Sequence, residues 1–112
     1  MKKSRFSFGM ILALCLALSG CMTVDHLHKE YAGLGTNEVK TPRGTFYIVD
    51  NMKAGKVFVE SGLGLSFSGT PPLPWAREAA QAWFEKTGRT CTIREGYLFQ
   101  APHYEFLYSC SR

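Results

Sequence analysis

Long apolar runs are scarce in this 112-residue chain. Phe6 to Leu18 is almost free of polar side chains, but thirteen residues form only roughly 20 Å of helix, against a bilayer hydrocarbon core of roughly 30 Å. The length excludes a permanent membrane-spanning helix for this segment. Lys2, Lys3 and Arg5 precede the run and two small residues follow it, which is typical of a cleaved secretory signal. We therefore expect residues 1–20 to be removed.

An excess of charge of one sign is also lacking once that segment is set aside. The whole chain carries 13 Lys and Arg against 9 Asp and Glu, a formal charge of +4. Three of the basic residues lie in the expected signal, so the mature chain would have ten basic and nine acidic residues, a charge of +1. This balance lacks the basic field on which nucleic-acid binding depends, and we expect no nucleic-acid partner.

The residues around the expected cleavage site are more specific than an ordinary secretory ending. Leu18-Ser19-Gly20-Cys21 places a leucine three positions before a cysteine, with two small residues between them. This arrangement resembles the lipobox of bacterial lipoproteins. A reachable thiol can accept a diacylglyceryl group as a nucleophile, and small residues before it admit a peptidase buried in the membrane. The resemblance covers the first 21 residues and indicates no family for residues 22–112.

The resemblance implies cleavage between Gly20 and Cys21, a thioether-linked lipid on Cys21 and an acylated amino terminus. Two or three acyl chains anchor a protein stably, whereas a single chain gives only marginal attachment. Met22 stands where an aspartate would mark inner-membrane retention in enteric bacteria, so the resemblance implies the outer membrane, on its periplasmic face. The alternative is an ordinary cysteine beside an ordinary cleavage site.

Cysteines are few, and the four present have separate expected roles. Cys15 would leave with the signal and Cys21 would carry lipid. Cys91 and Cys110 then remain as an even pair in a chain exported to an oxidising compartment. A metal or redox pair is the alternative, but the sequence has no CxxC spacing and its three histidines are scattered. We predict a structural disulfide between Cys91 and Cys110, and no metal or cofactor.

Residue patterns predict a small α+β domain over residues 41–112. Residues 21–40 show no sustained period and are predicted to be the lipidated N-terminus and a tether. β-Branched and aromatic residues predict a hairpin from Thr45 to Ser61. Apolar residues at both even and odd positions of its strands indicate that both faces of the sheet are partly covered.

A helix and a second hairpin are predicted to follow. Helical spacing of apolar residues marks about 74–87, with Trp75 and Trp83 as the main buried side chains and Gly88 as the terminator. The remaining strands are predicted at 89–95 and 104–110. The order is ββαββ-like, with two antiparallel hairpins in one sheet and the helix packed on it.

The expected disulfide sets the register of the second hairpin. If Cys91 faces Cys110, antiparallel pairing places Ile93 opposite Tyr108, and Glu95 opposite Phe106. The helix-facing side is then apolar and the other side, which includes Glu105, is largely polar.

The connection between the last two strands carries many large side chains: Tyr97, Leu98, Phe99, His103 and Tyr104. Two interpretations stay open. The rings fold back onto the core of the domain, or they form a contact patch for a partner, because exposed aromatic clusters mark interfaces. His103 is interpreted as a turn residue rather than a catalyst, since no Ser-His-Asp or Cys-His set is positioned near it.

These features predict a lipid-anchored binding or scaffold module that acts on another envelope component. The alternative is an inhibitor or exclusion lipoprotein similar to those that block lysozyme. Those proteins are built mainly from strands, and the helix predicted at 74–87 fits them poorly. An enzyme is not expected, because a mature chain of 92 residues rarely encloses a catalytic pocket.

Replacing Cys21 by Ser should abolish lipid attachment and leave an uncleaved precursor, because the hydroxyl is a poorer nucleophile than the thiol. Metabolic labelling with palmitate and the mass of the purified protein measure both effects. Normal palmitate labelling of the Cys21→Ser chain would refute the lipid anchor.

Overall fold

The computed structural model describes residues 21–62 and 69–111, so the predicted signal at 1–20 lies outside it. Two helices and five strands in this part confirm the predicted α+β class. None of the helices described is long and apolar enough to cross a bilayer. In chain order the elements are α1 (Cys21–Glu30), β1 (Thr36–Thr41), β2 (Gly44–Asn51), β3 (Lys56–Ser61), α2 (Leu73–Lys86), β4 (Thr90–Gln100) and β5 (His103–Ser111).

Helix α1 belongs to an N-terminal unit that ends at Ala32, and the chain from Gly33 onward forms a second compact unit. Asp25 and Lys29 lie one helical turn apart, with their charged atoms separated by 3.2 Å. Basic side chains in the last turn of the helix also interact favourably with the negative end of the helix dipole. Cys21–Glu30 is thus helical, although the sequence of this segment shows no sustained period, and its role as a tether stays a prediction.

The second unit is built on one antiparallel sheet with strand order β1-β2-β3-β5-β4. The hairpin predicted from Thr45 to Ser61 is confirmed as β2 and β3, with Ile48 opposite Val59. Strand β1 lies in the segment predicted to be a tether, so the folded domain begins before residue 41. Val39 is the single buried side chain of β1, and one apolar residue in six produces no detectable period.

Helix α2 covers one face of the sheet, as predicted. Ala76, Ala79 and Ala80 expose no surface and let the helix backbone approach the strands, while Phe84 is inserted almost completely. The two tryptophans, expected to be the main buried side chains, are only half-buried and pack at the edge of the core. The buried strand residues of this core are Val39, Phe46, Ile48, Val57, Val59, Ile93, Tyr104, Phe106 and Tyr108.

The end of α2 directs the chain straight into the second hairpin. Gly88 has a φ of 72°, the left-handed conformation predicted for the residue after a helix C-terminus. The backbone N–H of Arg89 donates to the Phe84 carbonyl at 3.0 Å. This closure brings Arg89 to the end of the helix immediately before β4.

The second hairpin forms around the predicted disulfide. Cys91 is bonded to Cys110, and Ile93 lies opposite Tyr108, as the sequence predicts. The bond joins the two strands at the end of the hairpin far from its turn. The turn itself is Ala101 and Pro102, joined by a cis peptide bond.

A bulge in β4 corrects the predicted register beyond Ile93. Glu95 lies opposite Leu107 rather than Phe106, and Gly96 takes the position facing Phe106. A Cβ atom on residue 96 would lie 2.4 Å from the Phe106 ring, a distance that Cβ atoms in proteins do not show. The bulge therefore places the glycine of β4, which has no side chain, against the buried ring of Phe106.

Replacing Cys91 and Cys110 together by Ala should lower the free energy of unfolding by about 3 kcal/mol. The two cysteines are 19 residues apart, and without the bond the unfolded chain gains the conformational entropy that the closed loop had removed. Urea unfolding measures the loss. Reduction of the wild-type protein should have the same effect, and the Ala variant, as the control, should not respond to reductant. A difference below about 0.5 kcal/mol would contradict a stabilising role.

Candidate functional site

The hairpin tip, residues 97–104, is the candidate site that the sequence predicts. Tyr97 and Leu98 are 38% and 47% exposed, which is unusual for side chains of this size in the domain. Tyr97 pairs with Glu105 on the face away from α2, and Leu98 pairs with Tyr104 on the helix side. Two large side chains are thus accessible, one on each side of the tip.

The other predicted tip residues fold back onto the domain. Tyr104 is 6% exposed, and its hydroxyl donates to the Pro71 carbonyl at 2.6 Å. The rings of Phe99 and His103 lie 5.8 and 5.5 Å from the ring of Phe58, which is fully buried. Tyr104 therefore belongs to the core and is not accessible as a partner contact, while Phe99 and His103 are half-buried.

Polar groups behind the tip are buried. The Tyr97 hydroxyl donates to Glu105, which is only 2% exposed, so the face predicted to be polar is buried at this position. Burial lowers the pKa of His103, although the negative charge of Glu60 opposes the change. The Nδ1 atom of His103 is buried and has no hydrogen-bond partner in the described part of the chain. These features fit a packed ring that is neutral near pH 7.

A groove of about 320 Å³ lies at the opposite end of the sheet, and the sequence did not predict it. It forms where β2 ends, where the chain enters β1 and where α2 ends. Both apolar and polar residues line it. We call the apolar side chains its wall (Leu34, Met52 and Trp83) and the polar ones its floor, which includes Asp50, Thr87 and Arg89.

Asp50 is the centre of a polar cluster on the floor of the groove. Its side chain is 6% exposed. It accepts hydrogen bonds from the Trp83 indole N–H at 2.8 Å, from Arg89 Nη2 and from the Tyr108 hydroxyl. Arg89 also donates from Nε to Thr87 Oγ1 at 3.0 Å. A buried carboxylate is costly unless it is paired and hydrogen-bonded, and this one is both.

The donors of this cluster stay protonated at neutral pH. Burial raises the pKa of Tyr108, and the hydrogen bond to Asp50 adds to the effect, giving about 12. Burial alone would lower the pKa of Arg89, but its hydrogen bonds to Tyr108 and Asp50 outweigh that and raise it. Neither donor releases a proton near pH 7, which suits a rigid floor rather than proton transfer.

The signal for this cluster in the sequence is faint. Asp50 continues the alternation of Phe46 and Ile48 along β2, so it carries a charge to a position on the apolar helix face. Its three partners lie 33, 39 and 58 residues away in the chain. No local pattern connects residues so far apart.

Cys21, the predicted lipid site, is the first residue of α1, and its modification stays a prediction. Within residues 21–62 and 69–111, no three His, Cys, Asp or Glu side chains converge as metal ligands would. No protein-family model, curated protein or solved structure matches the chain.

Replacing Tyr108 by Phe should cost about 1.5–3 kcal/mol near pH 7, because a hydrogen bond to a charged acceptor is lost. The folded pKa of about 12 exceeds the ordinary value of 10.0, so the tyrosine stabilises the wild-type protein fully below pH 10 and progressively less up to pH 12. The gap in free energy of unfolding between the two proteins should therefore narrow over that interval. Urea unfolding at several pH values measures it, and a constant gap would contradict the raised pKa.

Proposed function

We propose that this chain is a lipid-anchored protein of the bacterial envelope whose folded domain binds or organises another envelope component. Support for the anchor comes from the short apolar run and from Leu18-Ser19-Gly20-Cys21. The membrane is then the first partner, through acyl chains on Cys21. With Met22 after the lipidated residue, the proposed location is the outer membrane, facing the periplasm.

The Cys91–Cys110 disulfide supports export independently of the signal. Disulfides persist in oxidising compartments such as the periplasm and are rare in the cytosol. A small domain with a limited core also gains proportionately more from such a bond than a large one. The disulfide is thus a feature of the folded domain itself that supports export.

The observation that carries the binding role is the pair of exposed side chains at the hairpin tip. Tyr97 and Leu98 are adjacent, large and accessible, while Phe99, His103 and Tyr104 behind them are packed. A rigid support limits the entropy lost when a partner covers the exposed side chains. Tyrosine is also enriched among residues that dominate binding energy at protein interfaces.

A scaffold or binding module is favoured over an inhibitor of the lysozyme-blocking kind. Those proteins are built mainly from strands, whereas here α2 covers one face of an open five-stranded sheet. An enzyme is not proposed, because the polar clusters at the tip and in the groove consist of groups engaged in packing and hydrogen bonds.

Placing a photocrosslinking amino acid at position 98 should capture one discrete envelope component in living cells. The same group at Glu85, which is exposed on α2, serves as the control and should not capture that component. Leu98→Ala should weaken co-purification of the captured component by about tenfold, equivalent to about 1.4 kcal/mol for a large side chain at an interface. The Phe99→Ala variant is avoided because that ring packs on Phe58.

Equal capture from positions 98 and 85, or a partner retained unchanged by Leu98→Ala, would contradict the tip as a binding surface. Slower muramidase activity in an excess of the purified protein would instead favour the inhibitor function.

A further inference from the structure

The groove is the second place in the domain where large apolar side chains are exposed. Leu34 is 42% exposed and Met52 is 67% exposed, and both line it together with Trp83. The groove is distinct from the hairpin tip, because Asn51 and Lys56 pair at its end of the sheet while the tip extends past the other. We infer that the groove binds one large uncharged side chain carried by an extended segment of a partner protein.

The groove is formed before any ligand arrives. The indole N–H of Trp83 is held by Asp50 at 2.8 Å, and the guanidinium of Arg89 is held by Asp50, Tyr108 and Thr87. Side chains fixed in this way lose little rotamer freedom on binding. A ligand then gains from covering Leu34 and Met52 without first ordering the floor.

The charges in the floor give a charged ligand no net attraction. Arg89 and Asp50 form an ion pair there, so their opposite charges largely cancel for an approaching ion. A guanidinium has five N–H donors, and three of those on Arg89 are engaged within the domain. The others can donate to a neutral acceptor, and a peptide carbonyl is one.

The size and position of the groove favour a single side chain on an extended backbone. A volume of about 320 Å³ lies at the low end of the roughly 300–1,000 Å³ typical of ligand pockets. Leu34 leads into β1, an edge strand that is paired along only one side within the described ranges. Extended segments commonly bind along such an edge, with alternate side chains entering neighbouring pockets.

Binding of the neutral peptide acetyl-Ala-Phe-Ala-amide tests this inference on the full chain purified in detergent. It should shift the Trp83 indole and Met52 methyl NMR signals saturably, with a dissociation constant on the order of 1 mM. The Trp75→Phe variant assigns the Trp83 signal. Peptides with Glu, Lys or Ser at the centre should bind at least about tenfold more weakly, since they lack an apolar side chain or carry a charge.

Leu34→Ala combined with Met52→Ala should weaken binding by about tenfold, and Leu98→Ala at the tip is the matched control that should not change it. An absence of saturable shifts up to about 20 mM, equal binding of all four peptides, or a loss caused only by Leu98→Ala would overturn the inference. A loss caused only by Leu98→Ala would place the peptide at the tip, and the crosslink at position 98 is measured separately in cells, so failure of the groove and failure of the tip are distinguishable.

Discussion

A buried carboxylate at the groove end of this domain requires hydrogen-bond donors from several elements to converge on it. Asp50 lies on the apolar face of the sheet, where an unpaired charge would cost several kcal/mol. Its donors come from α2, from Arg89 three residues after the helix and from β5. Gly88 takes a left-handed conformation after the helix, and the Arg89 N–H closes on the Phe84 carbonyl, which holds Arg89 near the end of α2. One side chain thereby ties together the helix and both hairpins.

The other end of the sheet is shaped by packing instead of charge. The bulge in β4 sets Gly96 against the Phe106 ring and shifts the rest of the strand by one position. Beyond it, Tyr104 turns into the core and reaches the Pro71 carbonyl, while Tyr97 and Leu98 remain exposed. The accessible surface at the tip thus consists of the side chains that do not pack into the core.

Two accessible apolar surfaces at opposite ends of one sheet suit the proposed role of a binding or scaffold module. The tip presents Tyr97 and Leu98, and the groove presents Leu34 and Met52. At the groove end of the sheet the disulfide joins β4 to β5, and the Asp50 cluster joins β2 to α2 and β5. A partner at either end would meet surfaces that require little rearrangement, which limits the entropic cost of binding.

Local chemistry determined much of what the sequence revealed on its own. The α2 arc of small and apolar residues and the turn at Gly88 follow from patterns of a few residues. The Cys91–Cys110 pairing follows from the number of cysteines, and strand alternation then places Ile93 opposite Tyr108. The predicted lipoprotein signal is of the same kind, since contiguous residues would be read by enzymes that act on the unfolded N-terminus.

Tertiary structure alone decided strand β1, the bulge, the division of the tip into buried and exposed side chains, and the Asp50 cluster. The tip and the Asp50 cluster depend on groups that are distant in the chain, 33 residues apart for Tyr104 and Pro71 and 58 residues apart for Asp50 and Tyr108. Burial and hydrogen bonding between such groups are properties of their positions in space. A window of ten residues contains only one of the two partners, so the interaction leaves no period that sequence reading could detect.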